Sequence, residues 1–271
     1  MKIDDLSLMR SAEAVARAAG EHALAHYGRR KEIFKSLAFD IKLVLDRECQ
    51  DVAEREVARL HPGHAILGEE GRIDTGADIT WIIDPIDGTL NFTHGLPHWA
   101  VSVAARDAAG VVRAGCVFLP MYGECFTAAI GEPARCNGQP VRVAAPTPLR
   151  RAMTLTGVRI PANPEEMDLG QAALLLRSSQ ITRMLGAAAV DLCWVACGKA
   201  DAYVDQALYV WDLAAGRLLV EQAGGRFRAV EIDSRYDIIA ASPDLFAELD
   251  ALLPVEAGTP ADRVSITPAS C

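Results

Sequence analysis

Asp84 and Asp87 stand three residues apart in the run Trp81-Ile82-Ile83-Asp84-Pro85-Ile86-Asp87-Gly88-Thr89-Leu90-Asn91-Phe92. Trp81, Ile82 and Ile83 form a short apolar stretch suited to a covered strand, and Pro85 with Gly88 is expected to stop it. Asp84, the carbonyl of Ile86 and Asp87 then offer closely spaced hard oxygens, the ligand type that Mg²⁺ and Ca²⁺ prefer. Gly88 and Thr89 can open a helix whose free backbone N–H groups face the same spot, and such a helix start attracts phosphate. Metal and anion sites would be adjacent.

Two more segments carry carboxylates at comparable places. Glu69 and Glu70 follow the apolar run Ala65-Ile66-Leu67-Gly68, so a second strand would end in a pair of acids. Asp212 opens the Ala-rich stretch Leu213-Ala214-Ala215-Gly216 after Leu208-Tyr209-Val210, which reads as strand. An Asp at a helix start is ordinarily an N-cap. Three strand ends that each deliver an acid point instead to one shared site.

In this order, Gly-Glu-Glu at 68–70, Asp-Pro-Ile-Asp-Gly-Thr-Leu-Asn-Phe at 84–92 and Trp-Asp-Leu-Ala-Ala-Gly at 211–216 resemble the motifs of the inositol monophosphatase family of Mg²⁺-dependent phosphatases. Leu96-Pro97-His98-Trp99-Ala100-Val101-Ser102-Val103, Cys136-Asn137-Gly138-Gln139 and Glu221-Gln222-Ala223-Gly224-Gly225 extend the resemblance from about Asp4 to about Leu253. It implies a layered α-β-α-β-α sandwich, α/β with α+β character, of the inositol monophosphatase and fructose-1,6-bisphosphatase type. The active site would lie in the cleft between the halves.

The resemblance also assigns roles. Glu69, Asp84 and the Ile86 carbonyl would bind one Mg²⁺, and Asp84, Asp87 and Asp212 a second, with a weaker third ion near Glu69. Mn²⁺ could substitute, whereas Ca²⁺ and Li⁺ would inhibit. Gly88 and Thr89 would hold the phosphate, and the Thr89 hydroxyl, polarised by Asp46, would take part in proton removal from the attacking water, with Glu69 also catalytic. Lys35, Asp40 and Glu70 match the family spacing more loosely. Between Asp40 and Asp46 the stretch Ile41-Lys42-Leu43-Val44-Leu45 departs from the usual Thr-bearing pattern, with two hydroxyls replaced by leucines.

On the alcohol side, Gly186, Ala187 and Ala188 correspond to a helix start that contacts the substrate, although relatives commonly carry Thr or Ser at the Ala187 position. Asp205 takes the place of a Glu that reaches the ring hydroxyls in inositol-specific enzymes, and Arg183 matches an Arg near the substrate or the subunit contact. The implied reaction is hydrolysis of a small phosphomonoester, an inositol-1-phosphate-like polyol or sugar phosphate, by a homodimer. Histidinol phosphate, fructose 1,6-bisphosphate and 3′-phosphoadenosine 5′-phosphate are alternative substrates. Some bacterial relatives are partners of transcription or ribosome machinery, which makes an interaction protein the alternative of another class.

The elements that must position these residues alternate in type. Long amphipathic patterns at 5–27 and 44–60 predict two helices. Strand-like segments follow at 65–68, 79–83, 98–105, 111–119 and 124–129, an antiparallel-leaning set. After Ala145-Pro146-Thr147-Pro148 the pattern becomes strand near 152–157, helix near 165–177, strand near 179–183, helix at 186–198, strands near 201–205 and 208–210 and helix at 212–223. Residues 1–148 are thus expected to form an α+β half with most metal ligands. Residues 149–253 would form an α/β half with Asp212 and the substrate contacts, and 254–271, rich in Pro, Ala, Thr and Ser, a mobile tail.

Composition agrees with an enzyme of the cytoplasm. The 271 residues are 51% hydrophobic, enough for a sizeable core. No apolar run reaches the ~18 residues that a membrane span needs, and Met1-Lys2-Ile3-Asp4-Asp5 is not a signal peptide. Seven scattered cysteines point to reduced thiols, with Cys193 and Cys197 buried rather than metal-bound. A formal net charge of −9 disfavours nucleic acid as a partner, since such binding rests on Lys and Arg contacts to phosphate. Bound metal would cancel part of that charge.

Overall fold

The structure, a computed structural model, describes residues 4–36, 41–73, 76–158, 165 and 167–254. Asp40 and the 255–271 part of the expected tail lie outside the described residues, as does the side chain of Lys35. Helix α1 (Asp5–Ala25) opens on Asp4, whose carboxylate accepts from the Leu6 N–H at 3.3 Å. It buries Leu8, Ala12, Val15, Ala16, Ala19 and Ala23, a stripe at helical spacing. Strands β1 (Ile33–Ser36) and β2 (Ile41–Leu43) form a small antiparallel pair ahead of helix α2 (Val44–Leu60), which buries Leu45, Cys49, Ala53 and Val57.

Both helices lie on one face of the larger sheet. Its strands are β3 (Ala65–Gly68), β4 (Gly71–Ile73), β5 (Ile79–Asp87), β6 (Ala100–Asp107), β7 (Val112–Leu119), β8 (Glu124–Ala129), β9 (Arg135–Cys136) and β10 (Gln139–Pro140). Among the described residues they form one eight-stranded sheet in the order β10-β9-β8-β7-β6-β5-β3-β4, antiparallel except for the β3–β5 pair. Side-chain alternation divides the strands between two cores. Trp81, Ile83, Val101 and Val103 pack under α1 and α2, whereas Ile82, Ala100, Ala104 and Val117 face the other way. Strands covered on both faces lose the apolar-polar alternation, which is why β5 and β6 read as continuous hydrophobic runs.

The second face carries α5 (Ala188–Ala196) and α6 (Val210–Gln222), which are themselves covered by a second sheet. That sheet runs β12-β11-β13-β15-β14, built from β11 (Met153–Thr156), β12 (Ile181–Arg183), β13 (Ala202–Leu208), β14 (Arg226–Ile232) and β15 (Arg235–Ala241). Helices α4 (Gly170–Ser178) and α7 (Pro243–Leu252) close the outside, with Leu175, Leu245 and Leu249 in its core. The layers are therefore helix, sheet, helix, sheet, helix. A helix between two sheets must be apolar all round, and every residue of α5 but Trp194 is buried. Burial of side chains such as Val190, Leu192 and Val195 contributes roughly 1.5–3 kcal/mol each. Close approach of α5 and α6 depends on Gly216, where an added Cβ would lie 2.5 Å from the Leu192 side chain.

The structure adds β1, β2, β4, β14, β15 and α7, which the sequence patterns did not announce, and departs from stated expectations elsewhere. β5 does not end before Pro85 but runs on to Asp87, with its register against β6 shifted between Asp84 and Asp87. Residues 208–210 are not a strand: β13 ends at Leu208, Tyr209 caps α6, and Val210 is already helical. The helix expected near 165–177 runs from Gly170 to Ser178. Among the described residues no helix is long and apolar enough to cross a membrane.

Candidate active site

The site is assembled where β3 and β5 end side by side. Gly68 pairs with Ile83 in the parallel β3–β5 ladder, and the Glu69 N–H donates to the Ile83 carbonyl at 3.2 Å. Glu69 and Asp84, the next residues on each strand, are therefore neighbours. Residues three apart on a regular strand point to opposite faces. In β5, Asp84 lies opposite Ser102 but Asp87 lies opposite Ala100, so one extra residue is accommodated in a bulge. The bulge brings Asp87 to the side of Asp84, and Pro85, which has no N–H to offer a ladder, sits within it.

Beyond the bulge the chain reverses into α3 (Thr89–His94). Gly88 makes that turn at φ +83°, and a Cβ there would lie 2.9 Å from the Ala187 methyl and 3.0 Å from the His98 carbonyl. Glycine is required on both counts. The Thr89 hydroxyl donates to the Ile86 carbonyl at 3.0 Å, the backbone oxygen singled out as a ligand. Asn91, further along α3, donates to the carbonyls of His98 at 2.8 Å and Leu185 at 2.7 Å, which ties α3 to the residues entering α5.

Asp87 spans to the same helix. Its two oxygens accept from the N–H groups of Ala188 at 3.1 Å and Ala189 at 2.9 Å, so it caps α5. Asp212 occupies the third position of α6 and reaches back to the Tyr209 N–H at 2.7 Å. The Ser102 hydroxyl donates to the Trp211 carbonyl at 3.3 Å, which docks the start of α6 on β6 opposite Asp84. Asp84 accepts from the Ile86 N–H at 3.0 Å, and Asp212 lies near enough to act on its carboxyl.

Burial, with Glu69, Asp87 and Asp212 adding to it, drives the Asp84 carboxyl well above its ordinary range. Asp87 is raised by burial and then by Asp212 and Asp191, against its backbone hydrogen bonds. Asp212 is pushed up to about 7, chiefly by burial. Buried like charges in contact can ionise together only if a cation joins them. Oxygen-only donors of this kind suit Mg²⁺ or another hard ion. Among the described residues no three acidic, His or Cys side chains already converge as a finished metal cage. Backbone N–H groups hold Asp87 and Asp212, while Glu69 and Glu70 are drawn to Lys42.

Asp46 lies behind this cluster at the third position of α2. One of its oxygens accepts from the Leu43 N–H at 2.7 Å, and the other is buried without a partner. Burial raises it to about 8, reinforced by Glu69 and Glu70 and opposed by the Leu43 hydrogen bond and Lys42. The Thr89 hydroxyl is turned to Ile86 and not to Asp46.

The alcohol-side residues are placed less uniformly. Gly186 has φ +76°, and Ala187 and Ala188 are buried, with the Ala188 N–H engaged by Asp87. Asp205 is turned inward: the Tyr203 hydroxyl donates to it, as does the Gln206 N–H at 2.7 Å, and Gly157 packs directly over its carboxylate. Burial raises Asp205 to about 7, against those two hydrogen bonds. Arg183 is exposed on edge strand β12, where it donates to the Thr182 carbonyl at 3.3 Å.

Sequence reasoning singled out neither Lys42, nor Asn91, nor the buried His98–Asp191 pair at 2.9 Å. A signal existed for Lys42, the one charge in the run Ile41-Lys42-Leu43-Val44-Leu45. Its partners lie 27 and 28 positions further along the chain, beyond the reach of local patterning.

The chain resembles known proteins over nearly its whole length. The model of the inositol monophosphatase family matches residues 5–250. The chain is 38% identical over 217 residues to Nus factor SuhB of Xylella fastidiosa, covering 78% of this chain and 77% of that protein. It is 34% identical over 210 residues to the fructose-1,6-bisphosphatase/inositol-1-monophosphatase of Thermotoga maritima, covering 77% and 79%. The crystal structure of extragenic suppressor protein suhB from Bartonella henselae superposes with a TM-score of 0.84 at 30% identity, covering 92% of this chain and 99% of that one.

Proposed function

The chain belongs to the inositol monophosphatase family and is a phosphomonoester hydrolase, and on that premise we propose that it hydrolyses a small polyol or sugar phosphate, of the inositol-1-phosphate kind, in a Mg²⁺-dependent reaction. The observation that carries this reading is the placing of Asp84 and Asp87, both buried, on the β5 bulge, with Asp212 at the start of α6 near enough to act on both carboxyls. Glu69, Asp84 and the Ile86 carbonyl would hold one ion, and Asp84, Asp87 and Asp212 another. Bound Mg²⁺ supplies neutralisation of the phosphoryl oxygens and activation of water.

The protein's own groups complete the chemistry. The Gly88 turn and the first N–H groups of α3 orient the phosphoryl oxygens. The Thr89 hydroxyl donates to the Ile86 carbonyl and would face the attacking water with its Oγ1; it could receive the water proton and pass its own to the unpartnered oxygen of Asp46 only after turning from Ile86 to that carboxylate. Gly186 to Ala188 and Asp205 shape the alcohol side. Phosphate release from a panel that includes inositol 1-phosphate, histidinol phosphate, fructose 1,6-bisphosphate and 3′-phosphoadenosine 5′-phosphate tests the reading. Turnover of inositol 1-phosphate that needs Mg²⁺ supports it, and equal release in chelator overturns it.

The name of the Xylella relative supports a second reading, in which the chain is a partner of the transcription machinery. The two separate on Asp87→Asn: a cellular phenotype that survives loss of phosphate release favours the partner role.

A further inference from the structure

Lys42 stands where a cation held by Glu69 and Glu70 would stand. It projects from β2 with about one-fifth of its side chain exposed, its ammonium bonded to Glu69 and 2.8 Å from an oxygen of Glu70. Two carboxylates on one side of the ammonium make it the counter-charge of both. A solvent-exposed ion pair is worth little. This one is different in placement, because one of its acceptors, Glu69, adjoins Asp84 on the neighbouring strand end.

Charge balance gives the arrangement its meaning. Glu69, Glu70, Asp84, Asp87 and Asp212 bring five negative charges to the ends of β3, β5 and the start of α6. In the substrate-free site two divalent ions and one ammonium neutralise them in full, whereas three divalent ions beside Lys42 would leave an excess of positive charge in a partly buried corner until a phosphate dianion arrives. We infer that the Lys42 ammonium is a resident cation of the active site, taking at Glu69 and Glu70 the charge-balancing place of a divalent ion, so that the site is complete with two. The inference rests on the reading above, in which Glu69, Asp84, Asp87 and Asp212 are metal ligands.

A purely structural ion pair and a resident cation are separated by counting ions. Free Mn²⁺ is titrated into the full chain at neutral pH and followed by electron paramagnetic resonance, alongside Lys42→Met, Lys42→Arg and Asp84→Asn. The parent is expected to bind two Mn²⁺. Lys42→Met should gain a further ion, or bind its weakest ion about tenfold tighter, the order expected when one like charge leaves a partly solvated site. Lys42→Arg, which keeps the charge, should behave as the parent. Three ions bound to the parent would overturn the inference, and that count decides even if Lys42→Met fails to fold. A folded Lys42→Met with parental number and affinity would overturn it as well. If the parent binds two ions and Asp84→Asn binds both unchanged, the metal assignment itself falls, an outcome distinct from failure of the Lys42 inference alone.

Discussion

Asp84 is central among the acids: Glu69 follows the strand beside it in the β3–β5 register, Asp87 follows across the bulge, and Asp212 at the start of α6 acts on its carboxyl together with both. Replacement by Asn keeps the acceptor for the Ile86 N–H but removes the charge that two ions would share. Asp84→Asn should lower kcat/KM on the order of 10³-fold, the several kcal/mol that metal-assisted stabilisation supplies. Because a buried like charge is removed, the same variant should melt a few degrees higher than the parent in chelator. Phosphate release and thermal melts check the pair of outcomes, and a variant that keeps its activity would refute the role of Asp84. A second residue-scale expectation concerns pH. Asp46, Asp205 and Asp212 are raised to about 8, about 7 and about 7, so the folded state holds their protons more tightly than the unfolded chain does. Their contribution to stability is complete below the unfolded carboxylate pKa of about 4 and is lost as pH rises through about 8. Calorimetry of the metal-free protein should therefore show Tm falling across that window. Mg²⁺ should restore the part due to Asp212, and Asp205→Asn the part due to Asp205. A metal-free Tm that rises across the window would contradict this.

At the scale of elements, the geometry depends on two irregular strands. The β5 bulge sets Asp84 and Asp87 side by side, and a second bulge in β13, where Ala207 takes φ +58° and donates to Asp237 at 2.9 Å, turns the chain between Asp205 and α6. Gly88→Ala should cost roughly 1–3 kcal/mol by urea denaturation, since it combines a left-handed φ with a clash against Ala187, and unchanged stability would show that the turn can relax. These irregularities also explain which elements were legible in the sequence. The apolar runs before Glu69 and Asp84 announced strands ending in acids, and the stripes of α1 and α2 announced helices. Continuation of β5 through Pro85 was hidden because a bulge tolerates the missing N–H that a regular ladder does not. Leu208-Tyr209-Val210 has strand-forming side chains, yet Asp212 reaching back to Tyr209 starts the helix there, and the local cap outweighs propensity. The β14–β15 hairpin turns on Asp233 and Ser234, both at positive φ, without the glycine that marks such turns in sequence.

Over the whole molecule, α5 and α6 are the layer that both sheets share, and the site is built across it. Asp87 comes from the larger sheet and caps α5; Asn91 reaches the Leu185 carbonyl; Asp212 heads α6. The acids that motifs identified are brought together by this layering, whereas the Lys42 ion pair and the Asp87 cap are long-range contacts that no local pattern encodes. Because the carboxylates come from the larger sheet and from α6 and repel until a cation joins them, Mg²⁺ should stabilise the molecule as a whole by mass action, and the effect should vanish in Asp84→Asn. The most direct test of the central claim is therefore steady-state phosphate release from inositol 1-phosphate by the parent and by Asp84→Asn, each with Mg²⁺ and with chelator. The account predicts turnover only for the parent with Mg²⁺. Comparable turnover by the parent in chelator, or by Asp84→Asn with Mg²⁺, would contradict it.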